Sequence, residues 1–269
     1  MAAFTTLCDE TGIHDDAPIT GVGGYVFDED GHKQFTESWF ETLRPFKDRG
    51  IEVFHAGDCF EGRGKFDALD ETERDGLFRS LIALIRRTAK LGVLCSLEDQ
   101  AFTTAIRRNK LRMYSGSKYT ASALRIFSLV GDRLRDLGLD GSVLYLFESG
   151  YEYYKEADCM IEQAVANPDF RKVALYSNHD FQSKRGQLAF QAADLFLWLW
   201  QKYKKEKVKH EYFIELIKPP NRIPHWEREV THFDVFHLAM GNMAKGIKSN
   251  RRKSPDYDLQ TGETQTYRF

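Results

Sequence analysis

Leu188-Ala189-Phe190-Gln191-Ala192-Ala193-Asp194-Leu195-Phe196-Leu197-Trp198-Leu199-Trp200 is an apolar run broken by one amide and one carboxylate. A stretch this greasy reads as a helix buried on most sides. Water stabilises an ionised carboxylate strongly, so Asp194 inside such a helix is neutral, paired with a cation, or bound to a metal. The polar residues Gln187, Gln191, Asp194 and Gln201 recur at steps of four, three and seven, which aligns them on one helix face. An apolar helix with a single polar seam implies that the seam faces a site.

Upstream, the chain alternates strands and helices. Phe4 to Cys8 reads as a short strand ending on Asp9-Glu10-Thr11-Gly12, and Ile19 to Phe27 as a second strand. Asp28-Glu29-Asp30-Gly31-His32 reads as a hairpin-style turn, Gln34 to Leu43 as either strand or helix, and 48–68 as a loop around Phe54-His55-Ala56-Gly57-Asp58. Asp70 caps a helix reaching about Lys90, with Leu77, Phe78, Leu81, Ile82, Leu84 and Ile85 on one face. A buried strand over Gly92–Leu97 and an amphipathic helix over Tyr119–Leu137 follow. Next come a strand at Ser142–Phe147 ending on Glu148, a helix at Tyr151–Ala166 stopped by Asn167-Pro168, and a strand at Val173–Tyr176. Downstream lie a basic run (Lys202–Lys209), a Pro-rich turn (Lys218–Pro224), an amphipathic helix (His232–Ile247) and a polar tail. Phe233, Phe236, His237 and Met240 share one face of that last helix, which predicts burial against the core or in a homodimer.

At 269 residues with 42% hydrophobic content, the chain can bury one substantial core, and a formal net charge of −2 argues against a generally basic protein. The four cysteines lie far apart with no C-x-x-C pair. With no signal-peptide pattern at the start, this fits a reducing cytoplasm. No run reaches the ~18 uncharged apolar residues of a membrane span. There is no phosphate-binding G-x-x-x-x-G-K-[ST] loop, no G-x-S-x-G elbow, no H-E-x-x-H pair and no Cys/His set for structural zinc.

The order of elements carries the functional reading. If the strands ending at Asp9 and Glu148 are parallel neighbours, both carboxylates emerge at one sheet edge, and a helix laid across that edge brings in Asp194. Two ionised carboxylates ~4 Å apart repel by about 4 kcal/mol at an effective dielectric near 20. Mg²⁺ or Mn²⁺ removes that cost and suits oxygen ligands, and such ions activate water for phosphodiester hydrolysis. Glu10 is a further possible ligand. His55 is a possible ligand or acid–base group, and Gln191 a group that orients the cluster or the substrate. Lys184 and Arg185, one loop away from Asp194, could hold a phosphate; Arg107, Arg108, Lys110 and Arg112 form another basic run. Bland readings coexist: a turn at Asp9–Gly12, a helix start at Glu148-Ser149-Gly150, a basic partner for Asp194.

Three of these segments resemble the bacterial and phage family called domain of unknown function 3800. They are Asp9-Glu10-Thr11-Gly12 followed by Val22-Gly23-Gly24, then Glu52 to His55 with Ala56-Gly57-Asp58, and Phe190-Gln191-Ala192-Ala193-Asp194-Leu195. The likeness spans about 5–200, with Thr11 where the family has Ser and Glu148 where Asp is expected. It implies a ribonuclease H-like mixed α/β sheet flanked by helices over 1–204, with an insertion around 45–115 and a C-terminal extension over 205–269. Asp9, Glu148 and Asp194 then fall at metal-binding positions. The expected activity is a divalent-metal-dependent nuclease or phosphodiesterase acting on DNA or RNA. The alternative is a non-catalytic module that binds nucleic acid or protein on the same fold.

Overall fold

A computed structural model describes residues 2–13, 17–109, 112–150, 153–184, 186–217 and 224–230, together with 235, 238, 256–257 and 264–265. The chain begins with β1 (Ala2–Thr11) and β2 (Ile19–Asp28), then α1 (Glu29–Leu43), α2 (Ala56–Glu61), α3 (Glu71–Thr88) and β3 (Leu91–Glu98). It continues through α4 (Asp99–Asn109), α5 (Arg112–Ser115), α6 (Lys118–Asp136), β4 (Gly141–Glu148), α7 (Tyr154–Val165), α8 (Pro168–Val173) and β5 (Tyr176–Gln182). Then come α9 (Phe190–Glu206), α10 (Glu211–Ile217) and β6 (His225–Val230). Two-residue strands β7 (Asp256–Tyr257) and β8 (Thr264–Gln265) pair with each other.

The main sheet is mixed, in the order β5-β4-β1-β2-β3-β6. Strands β1, β2 and β3 form an antiparallel meander, while β4 joins β1, β5 joins β4 and β6 joins β3 in parallel. The register sets Leu7 beside Tyr25 and Leu146, and Thr6 beside Val26 and Tyr145, so these two sets lie on opposite faces. Phe196 of α9 packs on Tyr25, and Phe127 of α6 packs on Tyr145. Helices therefore cover both faces, which is why β2 is buried along nearly its whole length.

Two glycines set how closely helices approach. A Cβ at Gly24 would overlap the Leu7 carbonyl and lie 3.0 Å from Ala193 Cβ, so only glycine lets α9 settle this near β1 and β2. A Cβ at Gly31 would likewise collide with the Thr88 carbonyl at the end of α3. That helix starts with a reciprocal capping box: Asp70 accepts from Glu73 N and Glu73 accepts from Asp70 N.

Several boundaries differ from the sequence reading. Asp28 does not open a hairpin turn; its carboxylate accepts from Gly31 N and caps α1, with Glu29 and Asp30 in the first turn where the helix dipole favours them. Asn167-Pro168 ends α7 and also starts α8, Pro at the first helical position being pre-shaped for it. The fifth strand accordingly lies at Tyr176–Gln182, later than Val173–Tyr176. The 48–68 stretch contains α2 and a 3-10 turn at Gly64–Ala68. The stretch 45–115, read as an insertion, contains β3, a strand of the main sheet. Within 205–269, read as an extension packed on the core or on a partner, β6 is hydrogen-bonded to β3 as the sixth strand. Most of His232–Ile247, including Phe233, Phe236, His237 and Met240, lies outside the described residues. Among the described residues no helix is long and apolar enough to cross a membrane.

Candidate metal centre

The parallel pairing of β1 with β4 sets Cys8 opposite Phe147, so the next residue of each strand, Asp9 and Glu148, emerges side by side at the same sheet edge. Asp9 is buried, and its Oδ1 accepts the backbone N–H of Glu10 at 2.8 Å. The close approach of α9 at Gly24 brings Asp194 to the same place.

Between these side chains sits Lys184, from the loop joining β5 to α9. Its Nζ lies 3.0 Å from Asp9 Oδ2, 3.1 Å from Glu148 Oε2 and 3.5 Å from Asp194 Oδ1, with only 14% of the side chain exposed. Lys184, which the sequence offers as a possible phosphate contact, lies among the carboxylates. The paired state foreseen as one option for Asp194 is the state seen.

One oxygen each from Asp9, Glu10 and Glu148 lies within 4.8 Å of the other two, a group that could hold a metal ion; Asp194 stands outside this trio. Glu10 Oε2 is sealed from solvent with no hydrogen-bond partner. A buried carboxylate oxygen left so costs the desolvation of the group. The donor set is all carboxylate oxygen, which suits a hard cation such as Mg²⁺ or Mn²⁺. The residues present therefore fit such an ion.

Burial dominates the electrostatics. It pushes the Asp9 carboxyl up to about 7, with Lys184 opposing and the neighbouring Glu148 reinforcing the shift. It pushes Glu10 up to about 9, helped by the charges of Asp9 and Glu148. Asp194 is also raised by burial, against the pull of Lys184. For Lys184 burial works the other way, but Asp194, Asp9 and Glu148 overcome it and hold the ammonium more tightly than a free lysine.

The loop carrying His55 is pinned to α9. Gln191 Oε1 accepts from Phe54 N at 2.8 Å and from Trp39 Nε1 at 3.0 Å, and Asp194 Oδ2 accepts from Ala56 N at 2.9 Å. Gln191 is fully buried, so in place of the substrate contact expected of it, it holds the loop. Gln187 lies before the first residue of α9 and is not part of the helical seam. His55 is exposed at the start of α2. It lines a cleft of about 820 Å³ together with Glu52, Asp58, Lys65, Glu148 and Lys184.

Arg185 and the side chains of Arg107, Arg108, Lys110 and Arg112 lie outside the described residues. In the Lys202–Lys209 run, Lys202 pairs with Glu206 and Lys204 with Glu227, so these two are engaged within the chain. A second group that could hold a metal ion is Asp158, Glu162 and His179. There His179 Nε2 lies 3.1 Å from Asp158 Oδ1, and Nδ1 lies 2.8 Å from the Tyr176 hydroxyl.

What the sequence did not reveal is the central position of Lys184. The available signal was electrostatic: several converging carboxylates need a counter-charge, and Lys184 lies in the loop leading directly into the helix of Asp194. No family model matches the chain, and no match to a curated protein or to a solved structure was found.

Proposed function

We propose that the chain is a divalent-metal-dependent nuclease or phosphodiesterase on a ribonuclease H-like core, related to the domain of unknown function 3800 family. The observation that carries this reading is the buried, partnerless Glu10 Oε2 beside Asp9 and Glu148, at the joint edge of two parallel strands. The antiparallel meander with parallel strands added beside β1 supports the fold assignment.

In this reading Asp9, Glu10 and Glu148 hold Mg²⁺ or Mn²⁺, and Asp194 fixes the Lys184 side of the cluster. The bound ion would supply a Lewis acid for a phosphodiester oxygen and lower the pKa of attacking water. His55, exposed on the wall of the same cleft, is placed to take or give a proton at the substrate. Lys65 and Lys184 are the basic side chains on that cleft, beside the carboxylates of Glu52, Asp58 and Glu148, and Lys65 would be the one to meet a backbone phosphate. Gln191 and Asp194 keep the His55 loop in register with α9.

One observation favours the second reading, a non-catalytic module on the same fold: Lys184 already pairs with Asp9, Glu148 and Asp194 without any metal. Its charge pulls on the Glu10 carboxyl against burial, but no ion pair joins the two among the described residues, and the uncontacted Glu10 Oε2 weighs for the metal. Incubation of end-labelled DNA and RNA, single- and double-stranded, with Mn²⁺, Mg²⁺ or EDTA separates the two. Metal-dependent cleavage that Glu10→Gln abolishes supports the nuclease; binding without cleavage under every condition supports the module.

A further inference from the structure

We propose that this centre takes one divalent ion per chain, not two, because Lys184 Nζ permanently occupies the second cation position between Asp9, Glu148 and Asp194. The inference rests on the metal reading above and specifies the composition of that site.

Two overlapping groups of carboxylates meet at this place. Asp9 Oδ2, Glu148 Oε2 and Asp194 Oδ1 face Lys184 Nζ at 3.0, 3.1 and 3.5 Å. All three oxygens lie within ion-pair distance of the one ammonium, which accepts no hydrogen bond and so has only carboxylates to satisfy it here. Glu10 joins Asp9 and Glu148 in a trio in which one oxygen of each lies within 4.8 Å of the other two. No ion pair reaches Glu10 among the described residues, and its Oε2 is sealed off without a partner. Asp9 and Glu148 are common to both groups, so the two cation positions share a wall, as adjacent cation sites must.

Charge counting agrees. With Asp9, Glu10, Glu148 and Asp194 all ionised, Lys184 and one divalent ion leave a single net negative charge. Admitting a second divalent ion in place of Nζ requires breaking all three lysine contacts and finding new solvation for a side chain only 14% exposed. Lysine brings less charge than a divalent ion but needs no recruitment from solution. Lys184 lines the cleft, so its ammonium would supply a fixed positive charge beside the ion.

The test is the number of ions bound. The reference protein carries Asp158→Asn and Glu162→Gln, which disable the second candidate metal group; it stands as wild type at this centre and is titrated with Mn²⁺, free ion being read from its EPR signal and heat by calorimetry, beside Lys184→Ala and Glu10→Gln in the same background. Expected is one Mn²⁺ on the wild type and a second binding event on Lys184→Ala. For Glu10→Gln, affinity for the first ion falls by about tenfold or more. Two ions on the wild type would overturn the lysine inference and leave the metal reading standing. No bound Mn²⁺ on the wild type would sink the metal reading itself. A folded Lys184→Ala, checked by circular dichroism, that still binds only one ion would show that its position is not a cation site. If that variant does not fold, the wild-type count and Lys184→Gln decide.

Discussion

Asp194 Oδ2 accepts the backbone N–H of Ala56 at 2.9 Å, joining residues 138 positions apart. The other oxygen of the same carboxylate faces Lys184. One side chain near the start of α9, within its apolar run, thus links the loop that presents His55 to the cation at the centre of the cluster. This accounts for a carboxylate in that run better than a purely metal-ligating role does.

The first prediction separates the two contacts of Asp194. Asp194→Asn keeps an oxygen for Ala56 N–H and removes the charge facing Lys184. Asp194→Ala removes both and leaves a buried backbone donor unpaired, at a cost of about 1–3 kcal/mol. Urea unfolding should therefore rank the alanine variant clearly below asparagine, while both lose metal-dependent cleavage. Equal stability of the two variants would show that the link to Ala56 contributes nothing.

The second prediction is a pH dependence. Asp9 and Glu10 hold protons up to about 7 and about 9 in the folded state, against ordinary values of 3.8 and 4.5. Between those limits the folded chain binds more protons than the unfolded one. Stability of the metal-free protein is therefore highest at the acid end and declines as pH rises through about 7 and towards about 9. Unfolding free energies in EDTA at pH 5.5, 7 and 9 should fall in that order, and Glu10→Gln should flatten the slope. Saturating Mn²⁺ should restore stability at the alkaline end, where it replaces protons. A rise in metal-free stability from pH 5.5 to 9 would contradict the burial of these carboxyls.

A third prediction concerns Gln191. Replacing it by Leu preserves bulk but strands two buried donors, Trp39 Nε1 and Phe54 N. The cost should be about 2–4 kcal/mol, with faster hydrogen exchange at the Phe54 amide. Glutamate at this position would keep the acceptors while burying a charge, and should also be destabilising. An exchange rate at Phe54 equal to wild type would mean that other contacts hold the loop.

The sequence disclosed most where one physical signal acted alone. Alternating apolar strands with carboxylates at their ends marked β1 and β4, and Asp70 with Glu73 marked the start of α3. Where two signals shared residues, the reading failed. Asp28-Glu29-Asp30-Gly31 is as good a helix cap as a turn, and only the seat of Gly31 against Thr88 decides between them. Pro168 both stops one helix and begins another. Strand β6 is set by pairing with β3, a long-range contact that no local pattern in His225–Val230 announces. The position of Lys184 depends on the fold of three separate elements, so composition near Asp194 showed a cation available but not where its charge goes.

The last prediction isolates His55 from the metal. Its side chain is exposed on the cleft wall, whereas its neighbours Phe54 and Ala56 are buried and carry the backbone links to α9. Truncation to alanine therefore leaves the loop anchored and removes only the imidazole. His55→Ala should melt within about 0.5 kcal/mol of wild type, as surface substitutions do, and bind Mn²⁺ with unchanged stoichiometry. Cleavage should slow by about 10²-fold or more if the imidazole transfers a proton. Changing the leaving group separates a proton donor from a binding contact: a substrate with a 4-nitrophenyl leaving group, which needs no protonation, should recover most of the lost rate. Loss of Mn²⁺ affinity in the alanine variant would instead make His55 a ligand, and an unchanged cleavage rate would make it a bystander on the cleft wall.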